Sequence, residues 1–164
     1  GGGTVSKHTT KNTAASVRQR LLNLAKSGKR SFKETVIAEK FEAMIKLGEL
    51  NSMMKDFFDV WTLANSTSFG GSSMVETVSA TFSRRGTAMD VSAPCFSEDY
   101  ASLPSKAAQW RAFLRRAELQ DVPPTFAEVW QHAMAFLRPV AEAVCHRHAF
   151  EMIWSAGGPW RANG

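Results

Sequence analysis

Every long apolar pattern in this chain has the helical period. Val17, Leu21, Leu24 and Ala25 form one stripe, Ile37, Phe41, Met44 and Leu47 a second, and Phe57, Val60, Trp61 and Ala64 a third. Val75, Val78, Ser79 and Phe82 make a fourth. Ala107, Trp110, Phe113, Leu114 and Ala117 follow, then Val129, Ala133, Phe136 and Val140. Apolar side chains that recur at i, i+3, i+4 and i+7 line one face of a helix, whereas a half-buried strand needs strict alternation. The punctuation agrees. Ser31 with Glu34, Ser73 with Glu76 and Thr125 with Glu128 have capping-box spacing, in which hydroxyl and carboxylate satisfy each other's end of the first turn. Thr13 and Ser105 are further N-cap candidates. Gly28, Gly48 and Gly86 stand where a left-handed residue ends a helix. Pro139 falls inside the last periodic stretch and should bend it by removing a ladder hydrogen bond. Runs of β-branched residues and internal repeats are missing. The sequence therefore predicts an all-α fold, a bundle of five to six helices.

A chain of 164 residues is the size of one domain. The breakers divide it into a flexible basic arm (1–12), a single helical domain (13–156) and a flexible tail (157–164) that opens with Gly157-Gly158-Pro159. Core material is ample, with 11 Phe, 5 Trp and 7 Met. The 2 cysteines, Cys95 and Cys145, make no disulfide framework and suit a reducing compartment. No apolar run approaches the ~18 residues of a membrane span, and the first residues have no apolar core of the signal-peptide kind. The expected location is the cytoplasm, with no membrane partner. Net charge is +5 and unevenly spread. Lys7, Lys11, Arg18, Arg20, Lys26, Lys29, Arg30 and Lys33 all precede the first acid, Glu34. Such an arm suits RNA phosphates, but no aromatics interleave to stack on bases, which favours a plain solvated arm. No DNA-reading motif is present.

Several constellations suggest chemistry and are outweighed by plainer readings. Cys145-His146-Arg147-His148 resembles a metal cluster, yet neighbouring helical side chains diverge by about 100°, and a structural zinc site needs four converging ligands. No metal site is expected. Gly70-Gly71-Ser72-Ser73 before a helix has phosphate-cradle character, but neither a preceding strand nor a lysine at P-loop spacing is evident. His8, His132, His146 and His148 form no catalytic arrangement by spacing and read as surface or helix residues.

The densest cluster of functional residue types spans 34–63. Glu39-Lys40-Phe41-Glu42-Ala43-Met44 belongs to one helix, and Met54-Lys55-Asp56-Phe57-Phe58-Asp59-Val60-Trp61 to the next. A helical hairpin would set Lys40 on one arm against Lys55, Asp56 and Asp59 on the other. Asp56 and Asp59 are i,i+3 neighbours on one face. A lysine facing a carboxylate pair can position a phosphate and a metal. The plainer reading is a surface pair of Lys55 with Asp59, worth about 0.3–0.5 kcal/mol.

These residues resemble the C-terminal helical signature of the AbiEii/AbiGii nucleotidyltransferase-toxin family, a Glu-Lys-Phe-Glu-Ala-Met helix followed by Met-Lys-Asp-Phe-x-Asp-hydrophobic-Trp. Ala80-Thr81-Phe82-Ser83-Arg84-Arg85-Gly86-Thr87 and Trp110-Arg111-Ala112-Phe113-Leu114-Arg115-Arg116 are similar to later segments of the family, and residues 12–27 to its first helix. The resemblance implies a bacterial toxin–antitoxin (abortive-infection) origin, with an antitoxin as partner. It implies catalytic roles for Lys40, Asp56 and Asp59 and nucleotide binding by Lys40 and Lys55. Full family members use Mg and a nucleoside triphosphate, held by an Asp-x-Asp pair on a sheet between the first helix and the Glu-Lys helix. Here Lys26-Ser27-Gly28 runs almost directly into Lys33-Glu34, and no two acids anywhere are separated by a single residue. The expectation is a truncated nucleotidyltransferase-like chain that binds no cofactor and is inactive alone. The alternative is a non-catalytic helical module that contacts RNA or an antitoxin.

Overall fold

The computed structural model describes residues 18–23, 30–48, 54–119 and 121–163. Residues 18–23 are helical (α1). Then come α2 (Arg30–Leu47), α3 (Met54–Ser66), β1 (Phe69–Gly70), α4 (Gly71–Arg85), a 3-10 turn (Pro94–Phe96), α5 (Glu98–Ala101), α6 (Pro104–Ala117), α7 (Phe126–His146), β2 (Met152–Trp154) and β3 (Trp160–Ala162). The architecture is a helical bundle, as the periodicity predicts. α2 packs on α3 and α4, and α7 closes over α3 and α4. The predicted stripes point inward: Ile37, Phe41 and Met44 on α2, Phe57, Val60 and Ala64 on α3, and Val129, Ala133, Phe136 and Val140 on α7 are all buried. Aromatic edges tie the layers together. Phe41 meets Phe82 edge-on at 5.6 Å, and Phe57 meets Phe126 at 5.0 Å, a favoured ring geometry. Leu47, expected inside, is instead largely exposed.

Helix ends follow the sequence in part. Thr125 caps α7, accepting the Glu128 N–H while its hydroxyl donates to the Glu128 carboxylate. Gly86 stops α4 in the left-handed region (φ 68°), and its N–H returns to the last carbonyls. Ser73 does not cap α4. That helix begins two residues earlier, at Gly71, and Ser73 Oγ donates to Glu34 Oε2 at 2.8 Å. Two residues assigned to separate capping boxes therefore pair with each other across α2 and α4. Ser105 is likewise inside α6, whose N-cap is Leu103 with Pro104 at the first helical position. α7 continues through Pro139. Thr13, Leu24, Gly28, the Ser31 side chain and the basic arm lie outside the described residues.

The segment from Gly157 onward, expected as a flexible tail, contains β3. This strand pairs antiparallel with β2, Trp154 opposite Trp160, and β2 pairs with β1, giving the sheet order β1-β2-β3. The anchors are aromatic. Trp154 packs edge-on against Phe136 at 4.9 Å, and the Trp160 indole N–H donates to the Phe136 carbonyl. The Ala64 carbonyl, near the end of α3, accepts both the Trp154 indole N–H (2.7 Å) and the Gly157 backbone N–H (2.8 Å). Gly71 sits where this hairpin touches α4, and a Cβ there would lie 2.5 Å from the Phe150 carbonyl oxygen. Only glycine permits that approach.

Candidate functional site

α2 presents Lys40 toward α3, and α3 turns Asp56 and Asp59 back toward α2. Lys40 Nζ lies 3.3 Å from Asp56 Oδ1 and 3.2 Å from Asp59 Oδ2. Both carboxylates are buried, and the lysine is a quarter exposed. The aspartates point inward because they share a face with the buried part of α3, where Phe57, Val60 and Leu63 secure the helix against its neighbours. The plainer surface pairing of Lys55 with Asp59 is therefore corrected. Asp59 is interior and is paired with Lys40, and Lys55 contributes only its attraction from further away.

One ammonium serves two carboxylates, leaving the cluster one negative charge in excess. Asp56 Oδ2 and Asp59 Oδ1 are buried and have no hydrogen-bond partner among the described residues. Burial raises the Asp59 carboxyl above its ordinary range, against the pull of Lys40. Burial also depresses Lys40, but the joint attraction of Asp59 and Asp56 outweighs it and holds the ammonium above the usual lysine value. The cation is thus well served and the anions are under-served. Buried oxygens left unsatisfied are uncommon and call for an explanation.

A second charged cluster joins α2 to α4. Arg85 reaches Glu39 Oε1 at 3.4 Å and Glu42 Oε2 at 3.2 Å, while the Thr87 hydroxyl donates to Glu42 Oε1 at 2.7 Å. Here both Glu42 oxygens are occupied.

A cleft of about 280 Å³ opens beside β1, lined in part by Lys33, Glu34, Phe69 and Ser73. Lys40, Lys55, Asp56 and Asp59 do not line it. β1 immediately precedes Gly71, so the glycine stretch does follow a strand, contrary to the sequence reading. Its glycine is explained by the contact with Phe150, and Lys33 is engaged by Thr67 and Ser68. At the other end of the chain Cys145 is exposed, and the His146 and His148 rings stack 6.5 Å apart. Among the described residues, no group of three or more His, Cys, Asp or Glu side chains is placed to hold a metal ion.

His132, which by spacing reads as a surface or helix residue, is half-buried on α7. It packs edge-on against Trp154 at 5.7 Å, and its buried Nε2 has no hydrogen-bond partner among the described residues. Burial lowers its pKa below the ordinary histidine value. Only its place on the inner flank of α7, between Ala133 and Val129, hints at this in the sequence.

Residues 33–132 match the family described as nucleotidyl transferase AbiEii toxin, Type IV TA system. That is more than half of the chain. The chain belongs to this family. No curated protein and no solved structure matches it. The AbiEii match contains Lys40, Lys55, Asp56 and Asp59 together with the whole of α4 and α6, and it ends within α7. A Type IV toxin–antitoxin system implies an antitoxin counterpart. Among the described residues, no helix is long and apolar enough to cross a membrane.

The AbiEii family generally uses a nucleotide and a metal. A hard divalent cation takes about six oxygen ligands. Two carboxylates converge here, and the Lys40 ammonium already lies against both. As arranged, with the Lys40 ammonium against both carboxylates, the cluster does not fit a resident divalent ion.

Proposed function

We propose that this chain is the helical, nucleotide-facing half of an AbiEii-type nucleotidyltransferase and that it transfers no nucleotide by itself. Lys40, Asp56 and Asp59 are its catalytic-site residues by descent, and Lys40 with Lys55 its nucleotide-side cations. The observation that carries this reading is the convergence of Lys40 on Asp56 and Asp59, in a sequence with no two acids spaced as Asp-x-Asp. Phosphoryl and nucleotidyl transfer depend on positioning and charge neutralisation, and the helical half alone supplies one ammonium already spent on two carboxylates. The test is incubation of the purified chain with labelled triphosphates, magnesium and total tRNA. No incorporation is expected. Incorporation that Lys40→Ala abolishes would overturn the proposal.

A second reading, a non-catalytic module that contacts RNA, draws support from α6. This helix carries no acid, and Arg111, Arg115 and Arg116 are exposed and make no ion pair among the described residues. Unpaired guanidinium groups on one helix suit phosphate contacts. Binding of this kind weakens steeply with salt. Replacing the three arginines by alanine should abolish it, and salt-insensitive binding would rule it out.

A further inference from the structure

We propose that Lys40 is a built-in counter-ion that keeps a divalent cation out from between Asp56 and Asp59, and that a cation site forms there once the ammonium is removed. Asp56 and Asp59 are one turn apart on the same face of α3 and are both buried. Their Oδ1 and Oδ2 atoms, respectively, lie within 3.3 Å of Lys40 Nζ, whereas Asp56 Oδ2 and Asp59 Oδ1 have no hydrogen-bond partner among the described residues. The site thus already has the donor type a hard cation requires, oxygens of two carboxylates, and it has unused acceptor capacity. A single positive charge leaves it one negative charge in excess, and a divalent ion would neutralise it.

What excludes the ion is position. The Lys40 ammonium is tethered by a four-carbon stem to α2, so it competes as an intramolecular ligand, while a free divalent ion must first shed water. The lysine is also the one member of the cluster with solvent access, so the place it occupies is the way in. This inference concerns ion-pair geometry and stands whether or not the chain takes part in nucleotide transfer.

The experiment compares metal-stripped full-length chain, wild type and Lys40→Ala, in thermal melts with and without Mn²⁺, alongside a direct count of bound Mn²⁺ by electron paramagnetic resonance. Expected is a wild-type melting temperature that Mn²⁺ does not move. Lys40→Ala should melt lower without metal and rise saturably with Mn²⁺, binding one ion per chain. The triple variant Lys40→Ala/Asp56→Asn/Asp59→Asn should lose both the rise and the ion. A Lys40→Ala chain that folds only when Mn²⁺ is present gives the expected result in stronger form. If it folds under neither condition, Lys40→Gln takes its place in the same measurement. Three outcomes overturn the proposal: a wild-type shift equal to that of the variant, no response in the variant, or a response that survives in the triple variant. None of these bears on the transfer reading, which label incorporation tests separately.

Discussion

α2 takes part in two clusters of one cation and two carboxylates, and the two are built in opposite ways. Toward α3 it supplies the cation, Lys40, and receives two buried aspartates. Toward α4 it supplies the carboxylates, Glu39 and Glu42, and receives Arg85. The α4 cluster is close to saturated, because Arg85 and Thr87 occupy both oxygens of the one buried acid, and Glu39 and Arg85 are both about two-fifths exposed. The α3 cluster is deeper, yet two of its carboxylate oxygens have no hydrogen-bond partner among the described residues. Folding alone accounts for the first arrangement. The second costs stability that a purely structural joint would avoid.

The contrast can be broken most forcefully at Lys40. Lys40→Met should leave two buried carboxylates without a counter-ion and cost about 3–5 kcal/mol, the range for breaking a buried pair by removing one partner. Denaturant unfolding measures it. Adding Asp56→Asn and Asp59→Asn should recover much of the loss. A cost below that of an ordinary surface pair would mean the cluster is solvated.

Glu42→Ala should cost less, about 1–3 kcal/mol, because it deprives the Thr87 hydroxyl and one Arg85 contact of their acceptor while Arg85 keeps access to water. The same unfolding assay ranks the two variants, and an inverted order would undo the comparison.

Acidity separates the clusters more gently. The folded pKa of Asp59 is raised, so the folded state takes up that proton more readily than the unfolded chain. Its contribution is complete below the unfolded value and is lost as pH rises through the folded value. The melting temperature of wild type minus that of Asp59→Asn should therefore increase from pH 7 toward pH 4. His132 acts in the opposite sense in both proteins. Its folded pKa is lowered, so its contribution is present above the ordinary histidine value and is lost as pH falls below it. It cancels in the difference and can be removed separately by His132→Phe. A difference that narrows on acidification would contradict the buried setting of Asp59.

The smallest effect belongs to Glu39→Ala. Both partners of its bridge are substantially exposed, and exposed pairs contribute about 0.2–1 kcal/mol. A double-mutant cycle with Arg85→Ala reads the coupling directly. A coupling as large as the Lys40 loss would show that exposure does not distinguish the clusters.

How legible these features were depended on range. The stripes through Phe41, Phe57 and Phe136 place the core helices, and Gly86 and Thr125 mark their ends, because each signal lies within a few residues of what it specifies. Ser73 and Glu34 show where such rules fail. Each has a correctly spaced local partner, yet they hydrogen-bond to each other across 39 positions once α2 and α4 pack. Asp59 is similar. Lys55 is its neighbour by helical spacing, but α3 faces inward at that point and Lys40 is the partner it meets. A helical hairpin already sets the arm of Lys40 against that of Asp56 and Asp59, but no periodicity fixes which side chains meet across two helices, so the choice of Lys40 over Lys55 was not legible. The three-residue strands were invisible for another reason. They are too short for alternation to register, and what fixes them is Trp154 and Trp160 settling on α7.

The double hydrogen bond to the Ala64 carbonyl has a consequence for how the chain assembles. Its donors, Trp154 and Gly157, come some ninety residues later. The end of α3 therefore cannot be completed until nearly all of the described chain has left the ribosome. A contact of such long range forms only after the intervening loop has paid its closure entropy, which grows slowly with length but must be met before the bond is gained. The helix that holds both aspartates is thus made early and fastened late. A chain truncated before Trp154 would carry α2, α4 and α7 with the end of α3 still unpinned, so greater protease susceptibility near Asn65 and Ser66 than in the whole chain would report the missing fastening.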